Sequence, residues 1–295
     1  MPRLNEIQIR DPYVLREGST YYLFGSTDPD IWRAPGVGFD VYRSVGGQLT
    51  EFDGPYPAFR PPVGFWSERN FWAPEVHPVG GAYYMFATFW PRAGHRGTAV
   101  LRAESVMGPY VPWSDGPVTP ATWECLDGTL YIDPDGAPWL VFCHEWQQVG
   151  DGQVCAMRLA PDLRSAAGEP IVLFTASQAP WAASLPGRAP GSYVTDGPYV
   201  VTAPGALLIL WSSFGADGSY RLGVARSTTG LLGKWSQSPE PLYSADGGHG
   251  MVFTTPGGAM YLALHTPNRT PDERPIFVGV RLTGTGLATT GEVIA

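Results

Sequence analysis

Lysine is nearly missing from this chain. Of 19 basic residues only Lys234 is a lysine, the arginines are scattered, and the formal net charge is −8 with a pI near 5.1. Holding a nucleic acid takes a clustered basic footprint that displaces counterions, so a polyanionic partner is not expected. Cysteine is equally scarce. Cys125, Cys143 and Cys155 form an odd set with no C-x-x-C spacing, which excludes a disulfide framework and a zinc site and leaves small buried hydrophobes. No apolar run is long enough to span a bilayer, so no membrane partner is expected. The chain enters strand-like sequence by residue 7 without a charged-then-apolar leader. The expected location is therefore the cytoplasm, or outside the cell if a leader has been trimmed.

What the chain has in quantity is glycine (37), proline (30) and aromatic residues (13%, with 11 tryptophans), against only 16% charged residues. That mixture suits many short strands joined by tight turns. Five segments share one plan, in which a small polar motif precedes an apolar strand, a turn rich in Gly, Pro or Asp, and a second aromatic or aliphatic strand. They are "DPYVLREGSTYYLFGS" from Asp11, "APEVHPVGGAYYMFAT" from Ala73, "DGTLYIDPDGAPWLVFCHEW" from Asp127, "DGPYVVTAPGALLILWSS" from Asp196 and "HGMVFTTPGGAMYLALHT" from His249. Their starts are 62, 54, 69 and 53 residues apart, close to the 59 that five equal units would need. Further alternating pieces follow each hairpin, among them "FDVYRS", "GTAVLRAES", "VCAMRLAPDL", "YRLGVARST" and "IFVGVRL", which brings each unit to four strands. The expected fold is all-β: a single five-bladed β-propeller domain over residues 1–295, with four-stranded antiparallel blades around a central channel.

In such a ring the first strand of each blade lines the channel, so Asp11, Asp127 and Asp196 are expected to meet at one mouth. An Asp before Pro or Gly is ordinary turn chemistry when taken singly. Three carboxylates brought together repel one another and raise each other's pKa, an arrangement with a chemical use. Hydrolysis of a glycosidic bond needs one protonated acid for the leaving oxygen and one ionised carboxylate on the opposite face of the sugar. Trp66, Phe71, Trp72 and Trp146 offer flat apolar surfaces for sugar rings, and about half of them are expected in the pocket wall.

The motifs "IRDPYVLREGSTYYLFGSTD", "NFWAPEVHPVGGAYYMFATF", "LDGTLYIDPDGAPWLVF", "VTDGPYV" and "GGHGMVF", in this order over nearly the whole chain, resemble glycoside hydrolase family 43. The resemblance implies a five-bladed propeller and an inverting mechanism. It also implies action on α-L-arabinofuranosides or β-D-xylosides, with some members acting on galactose-containing chains. The foremost expectation is an exo-acting α-L-arabinofuranosidase releasing a terminal furanose, with β-D-galactofuranosidase or β-xylosidase activity as alternatives and endo action left open by the sequence. Carried over by position, Asp11 matches the general base, and Asp127 matches the acid that tunes and orients the proton donor. Asp196 stands where the family ordinarily has the Glu of an "EGP" motif. That departure leaves three outcomes open: Asp196 as the acid, Glu145 (or Glu124) as its rival, or a sugar-binding propeller without catalysis. Glu75 is expected as a wall or substrate-contact residue beside Phe71, Trp72 and Trp146. Arg274 is placed either at the rim, reaching a sugar hydroxyl, or on the plain surface. The family often has a His at the position of His249 facing an ion or waters on the axis, which implies a structural calcium or other ion held largely through water; the chemistry requires no cofactor. The expected partner is an oligosaccharide, bound by a monomer. A protein-interaction propeller, by contrast, predicts no acids gathered at one mouth.

Overall fold

The computed structural model describes residues 1–295 and is built from five four-stranded antiparallel sheets. The first blade holds β1 (Arg10–Glu17), β2 (Thr20–Ser26), β3 (Phe39–Ser44) and β4 (Phe52–Phe59). The second holds β5 (Ser67–Val79), β6 (Ala82–Pro91), β7 (Gly97–Ala103) and β8 (Val111–Pro112). In the third, β9 (Cys125–Ile132), β10 (Pro138–His144), β11 (Gln153–Arg158) and β12 (Ile171–Thr175) are interrupted by a single helical turn, α1 (Trp146–Val149). The fourth holds β13 (Asp196–Ala203), β14 (Ala206–Phe214), β15 (Tyr220–Ser227) and β16 (Ser236–Gln237), and the fifth β17 (Gly248–Thr254), β18 (Met260–Thr266), β19 (Arg274–Leu282) and β20 (Leu287–Ile294). Every sheet runs in simple sequence order from the inner strand outward, which is the five-bladed propeller expected from the repeats.

Apolar side chains fill the wedges between neighbouring blades. Leu140, Phe142 and Met157 pack against Phe86 and Val100 between blades 2 and 3, and Leu208, Leu210 and Leu222 meet Leu262 and Leu264 between blades 4 and 5. The largest cluster runs from blade 5 through blade 1 into blade 2. Within it Phe39, Phe59, Phe65, Phe71 and Phe89 pack edge-on or tilted with centroids 4.9 to 6.1 Å apart, a geometry that suits the ring quadrupoles. Blade 5 takes its outermost strand from the C-terminus. The ring therefore closes through packing of side chains such as Met251, Phe253 and Tyr261 against blade 1, with no strand shared between the first and last blades.

The inner strands share one irregularity that shapes the site. Each carries a one-residue bulge in the same place: between Arg10 and Tyr13, Trp72 and Glu75, Leu126 and Thr129, Asp196 and Tyr199, and Gly248 and Met251. The first bulged residue is left-handed every time, at Asp11 (φ 54°), Ala73 (47°), Asp127 (57°), Gly197 (52°) and His249 (50°). Pro or Gly follows in all five cases; Pro has no N–H to leave unpaired at a break in the ladder. The matching residue of blade 4 is thus Gly197, and Asp196 sits one position earlier, level with Arg10, Trp72, Leu126 and Gly248.

The left-handed residue also fastens its blade to the one before. Ala73 N–H donates to Ser26 Oγ (2.9 Å), Asp127 N–H to Thr88 Oγ1 (2.8 Å), His249 N–H to Ser212 Oγ (2.8 Å) and Asp11 N–H to His265 Nδ1 (3.2 Å). Each acceptor occupies the same ladder position on the second strand of the preceding blade. In blade 3 that position is Cys143, and Gly197 N–H donates instead to Asp127 Oδ2 at 3.0 Å.

Candidate active site

A cavity of about 370 Å³ opens at the end of the axis where the bulges lie, and Asp11, Asp127, Asp196 and Glu145 all reach its lining. Tyr13 and Tyr199, from the inner strands of blades 1 and 4, meet edge-on with centroids 6.3 Å apart, outside the lining. The cavity volume lies within the range of small-molecule sites.

Asp11 is surrounded by donors and positive charge. Ser26 Oγ donates to its Oδ2 at 2.6 Å, and His249 Nδ1 lies 3.1 Å from its Oδ1. Burial alone would raise this carboxyl, but His249, Arg10 and the Ser26 hydroxyl outweigh it and hold the pKa below the ordinary carboxylate value. His265 is fully buried, and burial together with Arg10 depresses its pKa to about 3. It is therefore a neutral ring whose Nδ1 accepts the Asp11 N–H, while Nε2 faces Asn268 Oδ1 at 3.2 Å. The same Asn268 oxygen accepts from Arg10 Nη2 at 2.6 Å, which holds that guanidinium beside Asp11.

Asp127 and Asp196 lie in the opposite kind of environment. Burial and the nearby charge of Asp11 push Asp127 well above the usual range, against the pull of the Gly197 N–H. Burial and the charge of Asp127 raise Asp196 to about 7. Tyr220 O–H donates to Asp196 Oδ2 at 3.0 Å. One carboxylate ionised at low pH and one still protonated near neutrality share a single pocket, the split that acid–base chemistry needs.

Glu145 reaches the pocket from the residue before α1, ion-paired with the buried Arg96. Arg96 also binds Glu124 Oε2 (Nε at 3.3 Å), and Glu124 Oε1 lies 2.8 Å from His95 Nδ1. Burial raises Glu145, with Arg96 partly offsetting it. Its cationic partner makes Glu145 a weaker candidate for a proton donor than Asp196, which has no guanidinium at hand. Glu124, held by Arg96 and His95, lies outside the lining.

The aromatic expectations divide. Trp72 and Trp146 line the pocket. Phe71 does not: it is 1% exposed and packed into the phenylalanine cluster, because side chains along β5 alternate and its neighbour Trp72 takes the pocket side. Trp66 packs on Phe65 and Phe89 away from the site. Glu75 is also displaced from the wall, lying beyond the bulge with His77 Nε2 at 3.1 Å. Arg274 turns back on its own loop and donates to the Pro271 and Glu273 carbonyls at 2.9 and 2.7 Å, out of reach of the pocket. His249 is in the lining, but its Nδ1 faces Asp11 and lies 3.7 Å from Asp127 Oδ2. No group of three or more His, Cys, Asp or Glu side chains is arranged to hold a metal, so these residues do not fit a directly coordinated ion.

Several lining residues carried no sequence signal. Trp32, on the β2–β3 connection, donates Nε1 to Thr270 Oγ1 of blade 5 at 3.1 Å and meets Trp72 edge-on at 5.2 Å, walling one side. Arg96 lies over the Trp72 ring with 5.2 Å to its centroid. Tyr220 and Arg10 are two more; of these four only Arg10, adjacent to Asp11 in sequence, could have been flagged by position.

Fold and pocket together define a class: five-bladed propellers with a carboxylate pocket at one end of the axis. The chain belongs to the glycosyl hydrolases family 43, which it matches over residues 5–285. It is 38% identical to a solved structure described as an endo-arabinase from Bacteroides thetaiotaomicron, with a TM-score of 0.89 over 96% of this chain and 98% of that one. A curated extracellular exo-α-(1→5)-L-arabinofuranosidase of Cellvibrio japonicus is 22% identical over 75% of this chain. An α-L-arabinofuranosidase of Humicola insolens is 24% identical over 80%. The chain spans 65% and 48% of the lengths of these two curated relatives.

Proposed function

We propose that this protein is an inverting glycoside hydrolase that releases a terminal α-L-arabinofuranose from a short oligosaccharide. The observation that carries the reading is the divided pair of carboxyls in one pocket, Asp11 held ionised and Asp196 held protonated to about pH 7. In the proposed reaction Asp11 accepts a proton from a water as that water's oxygen bonds to the anomeric carbon. The glycosidic C–O bond breaks, its electron pair stays on the leaving oxygen, and that oxygen takes the Asp196 proton. Asp127, close to both His249 and the Gly197 amide, tunes and orients the donor. Trp72, Trp146 and Trp32 supply apolar walls for the sugar ring, and no metal enters the chemistry.

Release from a chain end is supported by the Trp32–Thr270 contact, which walls one side of the site. Cleavage within an arabinan chain is the second reading, favoured by the name of the 38% identical relative. The test is a panel of aryl arabinofuranosides, galactofuranosides and xylosides beside linear arabinan, with the product anomer read by proton NMR. Arabinose as the first product, in inverted configuration, is expected. Retained configuration overturns the mechanism, and arabino-oligosaccharides as first products replace the exo reading with the endo one.

A further inference from the structure

We propose that Tyr220 is the positioning residue of the Asp196 acid: its hydroxyl, donated to Oδ2, fixes Oδ1 as the oxygen that carries and delivers the proton. The inference rests on the hydrolase reading for the role of Asp196, but the contact itself stands apart from it.

Tyr220 opens β15, and its side chain is almost fully buried. Its ring is fixed from two blades. Phe214 packs at 5.2 Å, and His265 stacks at 5.8 Å with 23° between the planes. Gly248 lies so close that a Cβ there would come within 2.6 Å of Tyr220 Cε1. The backbone is fixed as well, with Tyr220 N–H donating to Asp246 Oδ1 at 3.1 Å and Gly247 N–H to the Tyr220 carbonyl at 3.0 Å. The hydroxyl therefore has little freedom to leave Asp196. Burial and the charges of Asp196 and Asp11 push its own ionisation well above the ordinary tyrosine value, so it acts as a donor throughout the working range.

A carboxyl that accepts a hydrogen bond on Oδ2 cannot keep its own proton directed at that donor. The proton resides on Oδ1, and the same hydrogen bond stabilises the carboxylate left after transfer. Asp196 is further faced by Asp127, Glu145 and His249, with the Cys143 thiol nearby; Arg10, Asp11, Asp127 and His265 surround Tyr220. Asp127 and Glu145 raise the Asp196 pKa, and Tyr220 and His249 restrain it. Asp is a short acid with two side-chain torsions, and one anchored oxygen leaves the other with a defined direction.

The experiment is a carbon-13 NMR titration of the Asp196 carboxyl, assigned by loss of its signal in Asp196→Asn, in the wild-type protein and in Tyr220→Phe. The variant keeps the ring and loses only the hydroxyl. Its Asp196 pKa is expected to rise by about one unit, the effect of one hydrogen bond to a charged group. Turnover of unactivated alkyl glycosides is expected to fall roughly tenfold or more relative to nitrophenyl glycosides, which need little protonation. Replacement of Tyr220 by 3-fluorotyrosine, a stronger donor in a ring that still packs, lowers the Asp196 pKa. An Asp196 titration unchanged in both variants overturns the proposal. If the titration moves but the wild-type protein cleaves no glycoside, the hydrolase reading fails while the Tyr220–Asp196 coupling stands.

Discussion

Gly197 gives its backbone N–H to the carboxylate of Asp127 at 3.0 Å, whereas Ala73, Asp127 and His249 give theirs to hydroxyls of the preceding blade. The difference follows from Cys143, whose thiol stands where the other junctions have Ser26, Thr88, Ser212 or His265 and is a poor acceptor. A structural amide is thereby released to the site. Cys143→Ser restores a competing hydroxyl at that junction. The expected outcome is a melting temperature equal to or slightly above wild type, with kcat lowered several-fold because Asp127 loses part of its donor. Unchanged kcat and pH profile would show that the amide serves only the fold.

Activity should follow a broad bell against pH. The acid limb belongs to Asp11, whose pKa lies below the ordinary carboxylate value, and the alkaline limb to Asp196 at about 7. Full activity is expected on the plateau between the two limbs, falling to about half near pH 7 as Asp196 loses its proton. Asp196→Asn should abolish the alkaline limb, with kcat on unactivated glycosides down by about 10³-fold and nitrophenyl substrates much less affected. If the limb survives, Glu145 becomes the donor despite its pairing with Arg96.

The same shift links stability to pH. Asp196 has a folded-state pKa raised from 3.8 to about 7, so the folded protein binds this proton more tightly than the unfolded chain does. That contribution is complete below the unfolded value and is lost as pH rises through the folded one. It amounts to an order of a few kcal/mol. Asp196→Asn should therefore melt several degrees above wild type at pH 8 and close to it at pH 4, as thermal unfolding by circular dichroism would show.

Gly197→Ala tests the bulge. The left-handed backbone at φ 52° disfavours any side chain, and a Cβ there would come within 2.7 Å of the His249 ring. A loss on the order of 2 kcal/mol is expected, together with reduced kcat as His249 shifts away from Asp11. Stability lost without any change in kcat would confine the glycine's role to the backbone.

Much of this architecture was legible because its signals are local. The inner hairpins alternate and turn at Gly, Pro and Asp, and the third-strand pieces around 39–44, 97–103, 153–158, 220–227 and 274–282 read as half-buried strands. The outer strands were not legible. β8 and β16 are two residues each, and β20, "LATTGEVI", is polar and largely exposed, as short or solvated edge strands are. The acids on inner-strand ends were found because the repeat places them there. The exact alignment of blade 4 was missed by one residue, since "DGP" resembles "RDP" and "LDG" until the ladder shows Gly197, not Asp196, at the bulge. Phe71 and Glu75 were misplaced because which side of a bulged strand faces the axis depends on the bulge. Of the two placements open for Arg274 the structure has the one away from the pocket, because its guanidinium turns to the carbonyls of its own loop. Trp32, Arg96 and Tyr220 arrive from loops and third strands through pairings of high sequence separation, which no motif records.

The seam between blades 5 and 1 is zipped by side chains and by the Asp11–His265 contact, with no strand crossing it. Each blade is therefore a contiguous stretch of chain, and the two ends of the described chain belong to neighbouring blades. Such a ring lends itself to circular permutation: the old ends can be tethered and new ones opened in an exposed outer turn of another blade, with every carboxyl returned to its place.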